Sequence, residues 1–181
     1  MPRFFFVLLA LVFATMSACG GGDDPTPAPT AAPETAEAEP APLPEPEPVP
    51  AFDGPAAEVT LTPVGNEMAY EQTSFTVQPG QTVSLTFENT ADNPAMSHNV
   101  VILREGTDVN AFGQAAMSAA DTDYIPQQMA DQVIAHTAMS APGETVTVEF
   151  TAPAAGTYTY VCTFPGHFMT MQGTMTVQAT S

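Results

Sequence analysis

The 181-residue chain carries twenty acidic residues against two basic ones, Arg3 and Arg104, for a formal net charge of −18. A surface this negative repels phosphate backbones and anionic headgroups, which excludes nucleic acid and adsorption to anionic lipid as binding modes. Its two cysteines, Cys19 and Cys162, lie in segments of opposite character, which excludes a fold stapled by disulfides.

The chain begins as an export signal. Residues 1–18 hold one positive side chain, Arg3, then the apolar run from Phe4 to Phe13 and a group of small residues. That run is too short to span a bilayer and reads as a secretory signal peptide. The junction Met16-Ser17-Ala18-Cys19-Gly20 resembles a bacterial lipoprotein cleavage site, so Cys19 is the expected lipidated N-terminus. Residues 19–57 read as a disordered tether, with eleven of the nineteen prolines between Pro25 and Pro55, alternating with Ala, Thr and Glu. With almost no apolar bulk this segment cannot offset its ordering entropy, and proline keeps it extended at about 3.1 Å per residue.

Residues 58–181 suit a single domain, long enough to bury a core without disulfides. Here apolar residues recur at every second position: Val59 and Leu61, Phe75 and Val77, then Val83, Leu85 and Phe87 after the turn Gln78-Pro79-Gly80-Gln81. The run Val100-Val101-Ile102-Leu103 follows a polar loop, and Val146/Val148/Phe150, Tyr158/Tyr160/Cys162 and Met175/Val177 continue the alternation. Short strands punctuated by Pro-Gly turns predict an all-β fold, an antiparallel sandwich or barrel. The period breaks over about residues 107–132, where Phe112, Ala116 and Ala120 fall at helical spacing and predict a short helix within an insertion.

The chemistry concentrates in one loop between two alternating segments. Cys162, His167 and the methionines Met169 and Met171 lie within ten residues. Thiolate, imidazole and a weak thioether are the ligand set of a trigonal copper site used for electron transfer. Such a site needs a second imidazole, and only His98 and His136 remain to supply it. A lone buried cysteine is commonly inert packing, and a lone histidine at a strand entry is commonly structural. Both readings weaken when the residues are taken as one set.

The segment Cys162-Thr163-Phe164-Pro165-Gly166-His167, with Met171 four residues after the histidine, resembles the ligand loop of azurin-type cupredoxins. Upstream, Met96-Ser97-His98-Asn99 is similar to the azurin segment that supplies the first histidine. Val133-Ile134-Ala135-His136-Thr137 resembles the stretch after the azurin helical insertion, whose histidine is not a ligand. A tethered form with a Pro-rich linker resembles the auracyanins, the azurin-like carriers of filamentous photosynthetic bacteria. The resemblance implies a cupredoxin-like Greek-key β-sandwich or barrel and one type 1 copper ion. It assigns His98, Cys162 and His167 to the trigonal plane, with Met171 as the long axial contact. The Ser97 carbonyl becomes a weak axial group, and the backbone amides of Asn99 and Phe164 become donors to the thiolate. Met96, Phe164, Pro165 and Phe168 would form an apolar docking patch around the exposed edge of His167.

The implied function is single-electron transfer by Cu(II)/Cu(I) cycling, outside the cytoplasm and lipid-anchored to a bacterial membrane. The expected partners are redox proteins such as a quinol-oxidising complex, a cytochrome, an oxidase or a reaction centre, met by a monomer. A periplasmic copper carrier or buffer is the alternative. Enzymes of the multicopper or nitrite reductase type need histidine clusters that three histidines cannot supply. A Cys-His hydrolase is disfavoured because Cys162 and His167 share one short loop instead of facing elements. The chain is therefore read as not an enzyme.

Overall fold

The computed structural model describes residues 48–49 and 51–179. The expected signal peptide, Cys19 and most of the tether lie outside the described residues.

Among the described residues eight strands form two sheets. β1 (Ala57–Leu61), β3 (Thr82–Glu88) and β6 (Thr145–Thr151) make a three-stranded sheet in the order β1-β3-β6. The second sheet has the order β2-β8-β7-β4-β5, from Ser74–Val77, Gln172–Val177, Gly156–Val161, Val101–Leu103 and Val133–His136. The expectation of an antiparallel fold is corrected at two edges, since β1 runs parallel to β3 and β2 parallel to β8. The cause is connectivity: β1 and β2 go to different sheets, so neither can close a hairpin with the other. Alternation reports which face is buried and carries no information about strand direction.

The period of two fixes the core. Val83, Leu85 and Phe87 project from β3 with no exposed surface and stand opposite Phe150, Val148 and Val146 of β6. They meet Tyr160, Met175 and Val177 of the second sheet in one buried cluster that also holds Cys162 and Met171. Rings of Phe87, Tyr70, Tyr160 and Phe75 pack in series through this cluster, at centroid distances of 6.0, 5.3 and 5.5 Å.

β4 breaks the alternation because both of its faces are covered. Val100 and Ile102 face the main core, whereas Val101 and Leu103 face a second cluster with Phe112, Ile125, Val161 and Phe168. The insertion supplies that cover. Its helix α1 spans Val109–Ala116 and is capped by Asp108, whose carboxylate accepts from the amides of Asn110 and Ala111 at 2.9 and 3.1 Å. The helix is shorter than Phe112, Ala116 and Ala120 suggest: Phe112 and Ala116 are buried, but Ala120 is exposed and opens a separate 3-10 turn. β5, at the end of the insertion, pairs with β4 and places His136 opposite Val101.

Leu85 is fully enclosed between the sheets. Leu85→Ala should lower unfolding stability by roughly 2–5 kcal/mol, seen as a lower urea midpoint at unchanged slope. A loss well under 1 kcal/mol would show that this interior is not packed as described.

Candidate metal centre

Two elements bring the donors together. His98 sits where the loop after β3 enters β4, and two backbone bonds with Ser140 hold it: His98 N–H to Ser140 O at 3.0 Å, and Ser140 N–H to His98 O at 2.8 Å. The Asn89 amide donates to the Met96 and Ser140 carbonyls, both at 2.9 Å, which pins the same loop from below. Cys162 follows β7 directly, and His167 lies at the far end of the turn that leaves it.

That turn explains the Pro-Gly pair. His167 N–H donates to Phe164 O at 3.0 Å, closing a four-residue turn with Pro165 and Gly166 at its centre. Gly166 has φ 84° and ψ −16°, the left-handed geometry a type II turn demands at this position. The chain then makes a single 3-10 turn, His167–Met169, and returns with Met171 N–H on His167 O at 2.8 Å. Cys162 N–H donates to Met171 O at 3.0 Å, so Met171 is clamped beside the cysteine.

The side-chain donors form a compact triangle. His98 Nδ1 lies 3.1 Å from His167 Nδ1, and Cys162 Sγ lies 3.8 and 3.6 Å from those two nitrogens. The point equidistant from all three atoms is about 2 Å from each, close to imidazole and thiolate bond lengths to a first-row metal. The residues therefore fit a single metal ion. Among the described residues this is the one group of three or more His, Cys, Asp or Glu with metal-holding spacing.

Burial sets the electrostatics. His98 and Cys162 are wholly buried, and His167 keeps 5% exposure. Desolvation, then the neighbouring His167, pushes the His98 pKa down to about 4, and desolvation lowers His167 as well. Desolvation raises the Cys162 thiol to about 12, against hydrogen bonds from the backbone amides of Asn99 and Phe164 that favour the thiolate. Without a metal the centre is thus three neutral donors at pH 7, and a cation must displace the thiol proton as it binds. His98 Nε2 is buried without a hydrogen-bond partner, so its ring is fixed by packing, including an edge contact with Phe87 at 6.1 Å.

Sequence reasoning singled out further residues, and their placement is uneven. Met171 is fully buried, whereas the competing thioether, Met169, is 67% exposed. His136 is exposed on β5 and lies outside the triangle. Ser97 is half-buried beside His98. Met96 and Phe164 are half-buried and Pro165 is exposed. Phe168 is a correction to the expected patch: its ring packs in the second core cluster with Phe112 and Val161, so its apolar surface is spent on the interior. It turns inward because α1 covers this side of the loop.

The network around Asn99 was not legible beforehand. Its side chain donates to Thr163 Oγ1 at 2.8 Å and accepts from Thr163 N–H at 2.8 Å, tying the His98 segment to the cysteine loop. The Tyr70 hydroxyl donates to Asn99 O at 2.6 Å from the core. An asparagine next to a strand-entry histidine was the available signal; Tyr70 gave none, being far away in sequence.

Fold and centre together define a β-sandwich protein that gathers two imidazoles and one thiol at one end for a single metal ion. A family model described as copper binding proteins, plastocyanin/azurin family, matches residues 57–178, and the chain belongs to that family. Auracyanin-A of Chloroflexus aurantiacus is 39% identical over 115 residues, covering 62% of this chain and 69% of the relative. Azurin-1 of Alcaligenes xylosoxydans xylosoxydans is 32% identical over 126 residues, 66% of this chain and 97% of the relative. The solved structure of dithionite-reduced auracyanin from Roseiflexus castenholzii matches with a TM-score of 0.63 at 40% identity, over 70% of this chain and all (100%) of that one. The family is one of blue copper electron carriers, and its cofactor here is one type 1 copper ion.

The buried imidazoles make the metal-free protein acid-sensitive. As pH falls from about 6.5 towards 4, the unfolded histidines take up protons while folded His98 stays neutral, so stability is lost across that window. Urea midpoints at pH 7 and 4.5 should differ more for wild type than for His98→Phe. Equal differences would show that His98 does not carry the acid sensitivity.

Proposed function

We propose that the chain is a single-electron shuttle outside the cytoplasm, tethered to a bacterial membrane by a lipid on Cys19 and by its Pro-rich segment. In this reading His98, Cys162 and His167 would hold the metal, with the Met171 thioether and the Ser97 carbonyl as weaker donors. The supporting observation is the triangle of 3.1, 3.6 and 3.8 Å between imidazole and thiol donors, buried on a rigid sandwich. Bound there, copper supplies a one-electron Cu(II)/Cu(I) couple.

The chain's own residues then have separate tasks. The sandwich holds His98 and the loop closes Cys162 and Met171 behind it, so the donors barely move when the charge changes. The Asn99 and Phe164 amides directed at Sγ draw density from the thiolate and tune the potential. His167 alone of the two imidazoles keeps exposure, which makes its edge the port for electrons. Met96, Phe164 and Pro165 surround that port as a small docking surface, suited to a transient redox partner with an interface below about 1,200 Å². The partner is a redox protein of the membrane, such as a quinol-oxidising complex, a cytochrome, an oxidase or a reaction centre, and the shuttle works as a monomer. Among the described residues no helix is long and apolar enough to cross a membrane; in this reading the lipid on Cys19 is the anchor.

Copper-loaded wild type should show an intense visible thiolate-to-Cu(II) band and reversible one-electron voltammetry. Cys162→Ser should abolish the band, and His136→Ala should leave it unaltered. A colourless, copper-loaded wild type without reversible reduction would instead indicate a copper carrier.

Met171→Leu should keep both copper and colour but raise the reduction potential, because a weak donor to Cu(II) is lost. Unchanged voltammetry in that variant, with a shift in Met169→Leu, would transfer the axial role to Met169.

A further inference from the structure

Helix α1 touches the metal loop at one bare spot. A Cβ placed on Gly113 would lie 2.2 Å from Cγ and 2.3 Å from Cδ2 of Phe168, so the ring rests directly on helix backbone. Glycine in a helix interior disfavours the helix; here the missing side chain makes the seat for Phe168. That residue follows His167 directly, in the same 3-10 turn.

A second contact reaches the same loop from the next part of the insertion. Asp123 and Tyr124 have φ of 53° and 60°, two adjacent non-glycine residues in the left-handed region. Such strain persists only where surrounding contacts fix it. One of those contacts is the Asn99 amide donating to Asp123 O at 3.2 Å. The strained turn presents the Tyr124 ring edge-on to Phe164 at 5.4 Å, and Phe164 in turn lies 4.9 Å from the His167 ring.

His98 is anchored by backbone bonds to Ser140, whereas the backbone bonds of His167 run to Phe164, Thr170 and Met171 of its own loop. We propose that the insertion is a clamp on that loop. Phe168 seated on Gly113, and Tyr124 propped against Phe164, act as positioning residues that fix the His167 imidazole from outside the sandwich. The clamp rests on the reading of His167 as a metal ligand.

The test uses the full chain with Gly113→Ala, Phe168→Ala, the double variant and Tyr124→Gly. It reads the His167 imidazole resonances of the metal-free protein by NMR, and the charge-transfer band and reduction potential of the copper form. Gly113→Ala, Phe168→Ala and Tyr124→Gly should each shift and broaden the His167 resonances and move the band and potential. Adding Gly113→Ala to Phe168→Ala should change nothing further, because the two substitutions remove one contact. Tyr124→Gly removes the ring contact at a position whose φ of 60° suits glycine, and its urea midpoint, measured alongside, separates a perturbed centre from a less stable fold. If Gly113→Ala does not fold, Phe168→Leu and Tyr124→Gly carry the same readouts. Variants that only melt earlier, with resonances, band and potential as in wild type, overturn the clamp. A visible band that survives His167→Ala overturns the ligand assignment and the clamp with it.

Discussion

The rest of the structure depends on the cost of burying one thiol and two imidazoles at the end of an apolar core. Desolvation drives all three to their neutral forms, Cys162 upward and the histidines downward. Neutral donors 3.1–3.8 Å apart can be enclosed without unpaired charge. The same closeness leaves them poor partners for one another, since two Nδ1 atoms facing each other can share only one proton. A soft cation resolves both conditions together. Cys162 would give up its proton on binding such an ion and each donor would gain a partner, which would couple metal affinity to the stability of the folded end.

Around this centre the protein satisfies its polar groups by linking elements that lie far apart in sequence. Asn99 is the junction: its side chain engages Thr163 and Asp123, and its carbonyl accepts from Tyr70. Tyr70 in turn lies among the rings of Phe87 and Tyr160. Burial, with Cys162 and Tyr160 nearby, raises its hydroxyl well above the ordinary value, so it stays a donor at any physiological pH. The first histidine, the cysteine loop, the insertion and the core are thus fastened at one residue, and displacing any of them strains the others.

What was legible in the sequence follows from how local each signal is. The strands of the three-stranded sheet declare themselves through Val83, Leu85 and Phe87, because one face is core and the other is wet. The ligand loop is equally local, with Cys162, His167 and Met171 inside one ten-residue segment built on a Pro-Gly turn. The parallel pairing of β1 with β3 and of β2 with β8 was not legible, because partner choice depends on connections between sheets. The inward turn of Phe168 was not legible either. An aromatic beside a surface ligand looks exposed until a helix 55 positions earlier offers a residue without a side chain, and Gly113 reads in isolation as a weak spot in α1.

The two histidines illustrate how the fold divides labour. His98 is sealed, with its Nε2 lacking a partner and its backbone bonded across to Ser140. His167 is carried by a turn that only glycine at position 166 allows, and it keeps a sliver of exposure. An electron must leave through a group that reaches the surface, yet a group on a loop is free to move, and movement raises the reorganisation that slows transfer. A sandwich alone settles only the first histidine. The second needs support from the outer side of the sheet, where β4 is apolar on both faces and the insertion lies. On the proposed reading of His167 as the port, covering β4 and steadying that imidazole would be served by one segment. The unbroken run Val100-Val101-Ile102-Leu103 reflects the same packing, since both of its faces are covered.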